Sequence, residues 1–378
     1  MDYNFPVLEY LSNNNEPNSI LATIIKVEGS SYRKEGTMML LKRNGETLGM
    51  LSSGCLESDV MMKMKQLMME SEHIKSKIVS YDMSAEDDLG WGRGAGCNGT
   101  VTILLEKNDF KFNEQLKKVK DYLQQGVKVT AKKNLCNVPN KITTSYEAET
   151  GEFFGDLGDF PNSGGMQIND CKNRQEKETY IHYFYPQNRL FIFGAGVDAR
   201  PVASLAAQTN FNVFVWDWRH INLKDKYFPS ATLLPPSFDW QKCQMTKYDF
   251  IVIMTHDFQK DKQILNHFLP IRQIKYIGIL GPKKRTRRLL NGKAPSHRLH
   301  SPIGIHIGAD GPWEIAISIL GELIYYKRKA SFDVNEKQGK VSFGKEEHYQ
   351  FDFINTDENK QIHNYVEREN LRGVSFND

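Results

Sequence analysis

Two cysteines stand in glycine-rich turns: Leu51-Ser52-Ser53-Gly54-Cys55-Leu56-Glu57, and Gly94-Ala95-Gly96-Cys97-Asn98-Gly99-Thr100. Such small neighbours leave room for a bulky ligand beside a sulfur. A helix beginning at Cys55 would aim free N–H groups and the positive end of its dipole at the side chain, favouring the thiolate, which attacks electrophiles and binds soft metals. The competing reading for Cys55 and Cys97 is a small hydrophobe packed beside a tight turn. Cys136, Cys171 and Cys243 lack these surroundings and are assigned to packing. Five cysteines with no C-x-x-C pair and no metal-ligand spacing argue against a disulfide framework or a structural zinc site, and a reducing cytoplasm fits.

A second kind of chemistry is anion binding. Gly29-Ser30-Ser31-Tyr32-Arg33-Lys34-Glu35-Gly36 gathers hydroxyls, backbone N–H groups and a guanidinium in one loop, with Arg33 as the clamp and Ser30 and Ser31 as donors. An ordinary solvated loop is the alternative. From Arg189 to Arg219 the chain reads apolar run, Gly194-Ala195-Gly196 turn, helical pattern ending in a second apolar run, then Asp217. This is the front of a dinucleotide-binding βαβ unit. Gly194 permits the tight turn, Gly196 lets backbone approach a pyrophosphate, Ala199 lets the helix pack close to the sheet, and Asp217 is placed to accept hydrogen bonds from a ribose. That acid disfavours a 2′-phosphate, so any nicotinamide bound would be NAD, with Arg219 the counter-argument.

His256 and Asp257 follow directly on a predicted strand, so they border the same crevice, since ligands of parallel sheets meet the carboxyl ends of strands. Either could position a ligand or move a proton; Asp257 could equally cap the next helix. Gly281 closes another strand and precedes Lys283-Lys284-Arg285-Thr286-Arg287-Arg288, five cations in six residues. A basic face near bound phosphates suits the fold better than nucleic acid, because no aromatic interleaving accompanies the cluster.

The elements that must hold these residues follow from pattern. Ile20 to Val27, Thr37 to Lys42, Ile78 to Tyr81 and Thr100 to Leu105 read as strands, and Leu56 to Met69 and Phe112 to Gln125 as helices, giving a small α/β unit. Met61, Met62, Met64, Leu67, Met68 and Met69 are expected to form a core-facing stripe. Thr179 to Tyr185, Phe250 to Met254 and Tyr276 to Leu280 are further strands, and Trp313 to Tyr326 a last helix with Ile315, Ile319, Leu320, Leu323 and Ile324 on its buried face. The expected fold class is therefore α/β: an N-terminal α/β domain (1–130), a polar linker or hairpin region (131–185), a Rossmann-like domain with a mostly parallel sheet (186–330), and a polar tail (331–378). The chain has 378 residues and a formal charge of +3, too balanced to recruit nucleic acid or an anionic membrane through a global field. Met1 to Asn15 lacks the order of a signal peptide, and no apolar run approaches the roughly 20 residues needed to span a bilayer.

Together these blocks resemble the XdhC/CoxI family, accessory proteins that mature xanthine dehydrogenase and related molybdenum hydroxylases. The matching segments are GSSYRKEGTMML, GMLSSGCLESDV, GCNGTVTILLE, RLFIFGAGVDARPVA, VWDWR, MTHDFQKD, YIGILGPKKRTRRLL and SPIGIHIGADGPWEIAISILGELI, in family order from Gly29 to Ile324. The resemblance implies a protein that holds molybdenum cofactor (molybdopterin) for sulfuration and delivery to an apo-hydroxylase, working with a sulfur donor, as a homodimer or larger oligomer in the cytoplasm. Carried over by position, Cys55 matches the family's Gly-Cys motif and is the candidate molybdenum contact; Cys97 matches its later Gly-Cys-Gly-Gly-Thr motif. Asn98 departs from that motif, Ser53 replaces a frequent glycine, and Val197 stands where many members have histidine. Two readings remain beside this one: an NAD(P)-dependent oxidoreductase on a small substrate with His256 as acid or base, and a nucleotide-binding redox regulator.

Overall fold

The computed structural model describes residues 4–14, 19–54, 56–83, 99–140, 142–156, 179–292 and 294–336. The N-terminal part runs α1 (Phe5–Asn13), β1 (Ile20–Gly29), β2 (Met38–Leu41), β3 (Thr47–Gly49), α2 (Glu57–Met69), β4 (Ser76–Asp82), β5 (Gly99–Lys107) and α3 (Phe110–Gln124). Its strands form one antiparallel sheet in the order β3-β2-β1-β5-β4. Both faces are covered, so β1 is apolar at successive positions instead of alternating. Ile20, Ala22 and Ile24 join Val60, Met64 and Leu67 of α2 on one face; Leu21 joins Val7 and Leu11 of α1 and Leu116 and Val119 of α3 on the other. The methionine stripe is only partly inward, because Met62 and Met69 project to solvent. α3 starts where Asp109 accepts the N–H of Phe112 at 2.8 Å, which satisfies one of the first-turn donors.

Next come β6 (Val129–Asn134), β7 (Thr143–Ala148), β8 (Phe153–Gly155) and β9 (Thr179–Phe184), a four-stranded antiparallel sheet in the order β8-β7-β6-β9. The segment read from sequence as a linker or hairpin region is thus a packed layer. Val129, Ala131, Tyr146, Phe154 and Phe184 share a core with α1, α3 and β2, and a buried ion pair, Lys133 Nζ to Glu106 Oε2 at 2.5 Å, ties β6 to β5. β6 looked polar because Thr130, Lys132 and Asn134 face away from that core and the inward Lys133 is paired with Glu106. Pro161 to Gly165, the loop signal in this segment, lies outside the described residues.

The last part comprises β10 (Arg189–Phe193), α4 (Ala199–Gln208), β11 (Asn212–Trp216), β12 (Thr232–Leu234), β13 (Asp249–Ile253), α5 (Phe258–Phe268), β14 (Tyr276–Ile279), α6 (Lys283–Leu289), β15 (Leu299–His300) and α7 (Gly311–Glu336). Its six-stranded sheet is parallel throughout, in the order β12-β11-β10-β13-β14-β15. Strand order reverses between β11 and β13 on either side of β10, which opens a crevice at the carboxyl edge of the sheet. Leu190 and Ile192 pack under α4 and α7, while Phe191 and Phe193 belong to the core on the α5 and α6 face. Residues up to Lys327 form one unit; of the second unit, from Arg328 on, the described residues are helical to Glu336. No helix among the described residues is long and apolar enough to cross a membrane.

Candidate functional site

In the N-terminal sheet β1, β3 and β4 run in one direction and β5 in the other, so the carboxyl ends of the first three and the start of β5 share one edge. The anion loop leaves β1 there, the Leu51–Gly54 turn follows β3 there, and the segment containing Cys97 leaves after β4 and returns at Gly99. Gly99 pairs with Gly29, and a Cβ on it would stand 2.3 Å from the carbonyl oxygen of Glu28 and 2.9 Å from the nitrogen of Ser30. Only glycine lets the two backbones meet so closely. Cys55 and Cys97 themselves lie outside the described residues, and α2 begins at Glu57, two residues after Cys55.

The turn before Cys55 is organised by a residue that sequence reasoning passed over. Glu57 accepts the N–H groups of Leu51 at 3.2 Å, Ser52 at 2.6 Å and Gly54 at 3.0 Å, and the hydroxyl of Ser52. Ser52 Oγ in turn accepts from Gly54 and Leu56. Burial would push the Glu57 carboxyl up, but the Ser52 hydroxyl and these backbone donors outweigh it and hold the carboxyl below its ordinary value. The carboxylate occupies the nest that a bound anion would otherwise fill. On the anion loop, Glu35 folds back to accept the N–H of Val27 at 3.1 Å, and Asn4 grips its far end through Gly36 O and the N–H of Met38. Ser30 is exposed, Ser31 and Arg33 are half-buried, and the guanidinium of Arg33 stacks 5.2 Å from the Tyr32 ring centroid.

In the parallel domain Gly194 to Ala199 is the expected strand-to-helix turn. Gly194 has φ +118°, and a Cβ there would lie 2.3 Å from the carbonyl oxygen of Met254. Gly196 is different: its nearest neighbour would be His256 Cδ2 at 3.8 Å, an ordinary contact. Asp217, read from sequence as a ribose acceptor, already has partners within the protein. Its side chain is fully buried and turned into the protein, accepting from Ala195 N–H at 2.9 Å and Arg219 N–H at 2.8 Å. Arg219 also grips it bidentately, through Nε at 3.0 Å and Nη2 at 2.9 Å. Burial alone would raise this carboxyl; the hydrogen bonds from Arg219 and Ala195 prevail and hold it low.

His256 does border Gly196, in a left-handed conformation (φ +60°) uncommon for a side chain with a Cβ. That turn carries its imidazole across the crevice, where Nε2 lies 3.3 Å from Asp198 Oδ2. Asp198 is the residue at the turn into α4, yet makes no side-chain cap bond. Asp257 caps α5, accepting the N–H of Lys260 at 2.8 Å. The cap is one of its two sequence readings. Gly281 follows β14 at φ +123°, where the chain turns into α6.

Comparison with known proteins decides the family. The chain is 38% identical over 326 residues to a probable xanthine dehydrogenase subunit of Bacillus subtilis, covering 83% of this chain and 94% of that one. It belongs to the XdhC and CoxI family. Three family descriptions divide its length: XdhC and CoxI family over residues 15–82, BH1974-like central domain over 111–185, and XdhC Rossmann domain over 190–323. A crystal structure of a xanthine dehydrogenase from Bacillus halodurans superposes with a TM-score of 0.73 at 39% identity, covering 86% of this chain and 96% of that one. A more distant relative, the molybdenum cofactor insertion chaperone PaoD of Escherichia coli, is 21% identical over 326 residues, 81% of this chain and 82% of that one.

For this member of the XdhC and CoxI family, the residues unnoticed in the sequence are those that orient the noticed ones. Asp261, buried on α5, accepts from the Thr255 hydroxyl and pairs with Arg285 at 2.5 Å. Arg285 and Arg288, three apart on α6, lie 5.8 and 5.1 Å from the ring centroid of Phe258. The three-residue spacing of the arginines was a legible signal for one helix face; their convergence on Phe258 was not. No cluster of three or more metal-ligating side chains occurs among the described residues.

Proposed function

We propose that this chain is an accessory protein of a molybdenum hydroxylase: it holds the anionic molybdenum cofactor while a sulfur donor sulfurates it, and passes it to the apo-enzyme. Homo-oligomeric assembly in the cytoplasm belongs to the same reading. The observation that carries it is the shared edge of the first sheet, where the loop of Ser30, Ser31 and Arg33, the turn leading to Cys55 and the strand start after Cys97 all open. An anion clamp beside soft sulfur donors suits a ligand that joins a phosphate to a dithiolene-bound metal. The names of the Bacillus subtilis and PaoD relatives support the same class of role.

The residues present fit such a ligand by donor type. Arg33 and the Ser30 and Ser31 hydroxyls can bind phosphate oxygens, and Cys55 as a thiolate is both a soft donor and a nucleophile. The cofactor when bound supplies the metal that accepts sulfur. The chain's task is retention and release, for which a half-exposed clamp is better suited than a closed pocket. An NAD(P)-dependent oxidoreductase is disfavoured because the oxygens of Asp217 are already engaged by Ala195 and Arg219.

The test is anaerobic purification from a host that makes molybdenum cofactor, followed by metal analysis and fluorescence of the oxidised pterin. The parent chain should retain molybdenum and pterin. Cys55→Ser should lose retention or hydroxylase maturation with little change in Tm, since serine keeps the shape and lacks the accessible anion. Cys243→Ser is the control: Cys243 is partly buried, and burial pushes its thiol up. If Cys55→Ser matures a cognate hydroxylase as well as the parent does, the thiolate role is wrong.

A further inference from the structure

The crevice of the parallel domain is dinucleotide-shaped in topology but not in its polar groups. A pyrophosphate on a Rossmann turn needs free N–H groups and the positive end of the following helix. Here the first two donors of the turn are spent within the fold, the Ala195 N–H on Asp217 and the Gly194 N–H on Trp216 O at 2.8 Å, which leaves only those nearer α4. The carboxylate of Asp198, 30% exposed, sits at the start of α4 and repels an anion from that end. The positive charge has moved across the sheet. After β13 and β14, His256, Phe258, Pro282, Lys284, Arg285 and Arg288 line an open groove of about 490 Å³, and no carboxylate is among its lining residues.

We propose that this groove is an anion site for the phosphate or diphosphate of a phosphorylated ligand, held by Lys284, Arg285 and Arg288, and that it replaces the nicotinamide dinucleotide site of the fold. Arg285 is fixed from behind by Asp261, which is itself held by Thr255. Its guanidinium is therefore pre-set; Asp261 offsets its charge, so the net positive charge of the groove comes from Lys284 and Arg288. Arg288 is exposed and steadied against Phe258, so two planar donors and an ammonium converge on one opening. Guanidinium forks match phosphate oxygens in geometry as well as charge. His256, engaged with Asp198, forms the wall between the groove and the glycine turn. The inference stands apart from the proposed function, in which the pterin phosphate goes to Ser30, Ser31 and Arg33, so the groove takes the phosphate or diphosphate of a separate phosphorylated ligand.

The test is calorimetric titration of the full chain with inorganic pyrophosphate and with NAD. Pyrophosphate should bind, more weakly as salt rises, and NAD should gain nothing over it because Asp217 is already committed to Ala195 and Arg219. The double variant Lys284→Gln/Arg288→Gln should weaken pyrophosphate by at least about tenfold. Lys283→Gln/Arg287→Gln removes the same charge from exposed residues that do not line the groove, and should leave binding within about twofold. Equal weakening by the two double variants, absence of pyrophosphate binding, or tighter binding of NAD than of pyrophosphate would each overturn the proposal. If pyrophosphate maps to the groove while the purified parent chain carries no pterin, the groove stands and the functional reading fails.

Discussion

The carboxylate of Asp217 receives the backbone N–H of Ala195 at 2.9 Å, 22 residues earlier in the chain, at the centre of the glycine turn. The acid just after β11 thus holds together the turn that follows β10, and Arg219, reaching past it to the carbonyl of Thr255, brings in the segment after β13 as well. In this chain the acid is part of the crevice's framework.

Asp217→Asn should therefore cost stability. Asparagine cannot accept the paired guanidinium donors and the two N–H groups together. Breaking a buried pair costs about 3–5 kcal/mol, and because Arg219 is 40% exposed the expected loss is nearer about 2 kcal/mol. The folded carboxyl lies below its ordinary value of 3.8, so its contribution is complete above that value and vanishes as pH falls through the lower, folded one. Urea unfolding at pH 7 measures the loss; a variant as stable as the parent refutes the framework role.

The two glycines of the turn should separate stability from ligand access. Gly194→Ala forces a Cβ against the Met254 carbonyl from a backbone at φ +118°, and should lose on the order of 3 kcal/mol or more. Gly196→Ala meets only His256 at 3.8 Å and should stay within about 0.5 kcal/mol of the parent. Thermal unfolding of the pair checks the contrast.

Glu57→Gln should loosen the turn before Cys55 without unfolding the sheet. A glutamine oxygen cannot serve three N–H groups and a hydroxyl, and the stability loss should be about 1–3 kcal/mol. Amide hydrogen exchange should accelerate at Leu51, Ser52 and Gly54 while β1 stays protected. Unchanged exchange at those amides would show that Glu57 does not organise the turn.

His182 should make the protein sensitive to mild acid. Burial first, and Lys133 second, depress its folded value from 6.5 to about 3, and its ring is stacked 4.1 Å from that of Phe184. The unfolded chain takes up a proton below pH 6.5 that the folded chain refuses until about pH 3, so stability declines across that interval. His182→Gln should flatten the slope of unfolding free energy between pH 7 and pH 5 by up to about 1.4 kcal/mol per pH unit. An identical slope in parent and variant would show that His182 is not the group responsible.

Much of this was legible from local signals. The turn from Gly194 to Ala199 and the capping role open to Asp257 follow from short-range sterics and hydrogen bonding, which act over a few residues and leave a mark in sequence. So does the parallel sheet, because strands buried on both faces must be apolar throughout, as Asp249–Ile253 is after its first residue. Other features depended on long-range packing. Residues 131–185 read as a linker or hairpin region because β6 is polar apart from Val129 and Ala131, and only the core shared with α1 and α3 makes a packed sheet of β6 to β9. Asp217 has the right spacing for a ribose acid, but spacing fixes only which strand end bears the carboxylate; whether it faces solvent or Arg219 is decided by competition among donors that meet in space. The convergence of Arg285 and Arg288 on Phe258, and the embrace of the Leu51–Gly54 turn by Glu57, arise in the same way. Hydrogen bonds and charge pairs are set by distance in three dimensions, to which distance along the chain is a poor guide.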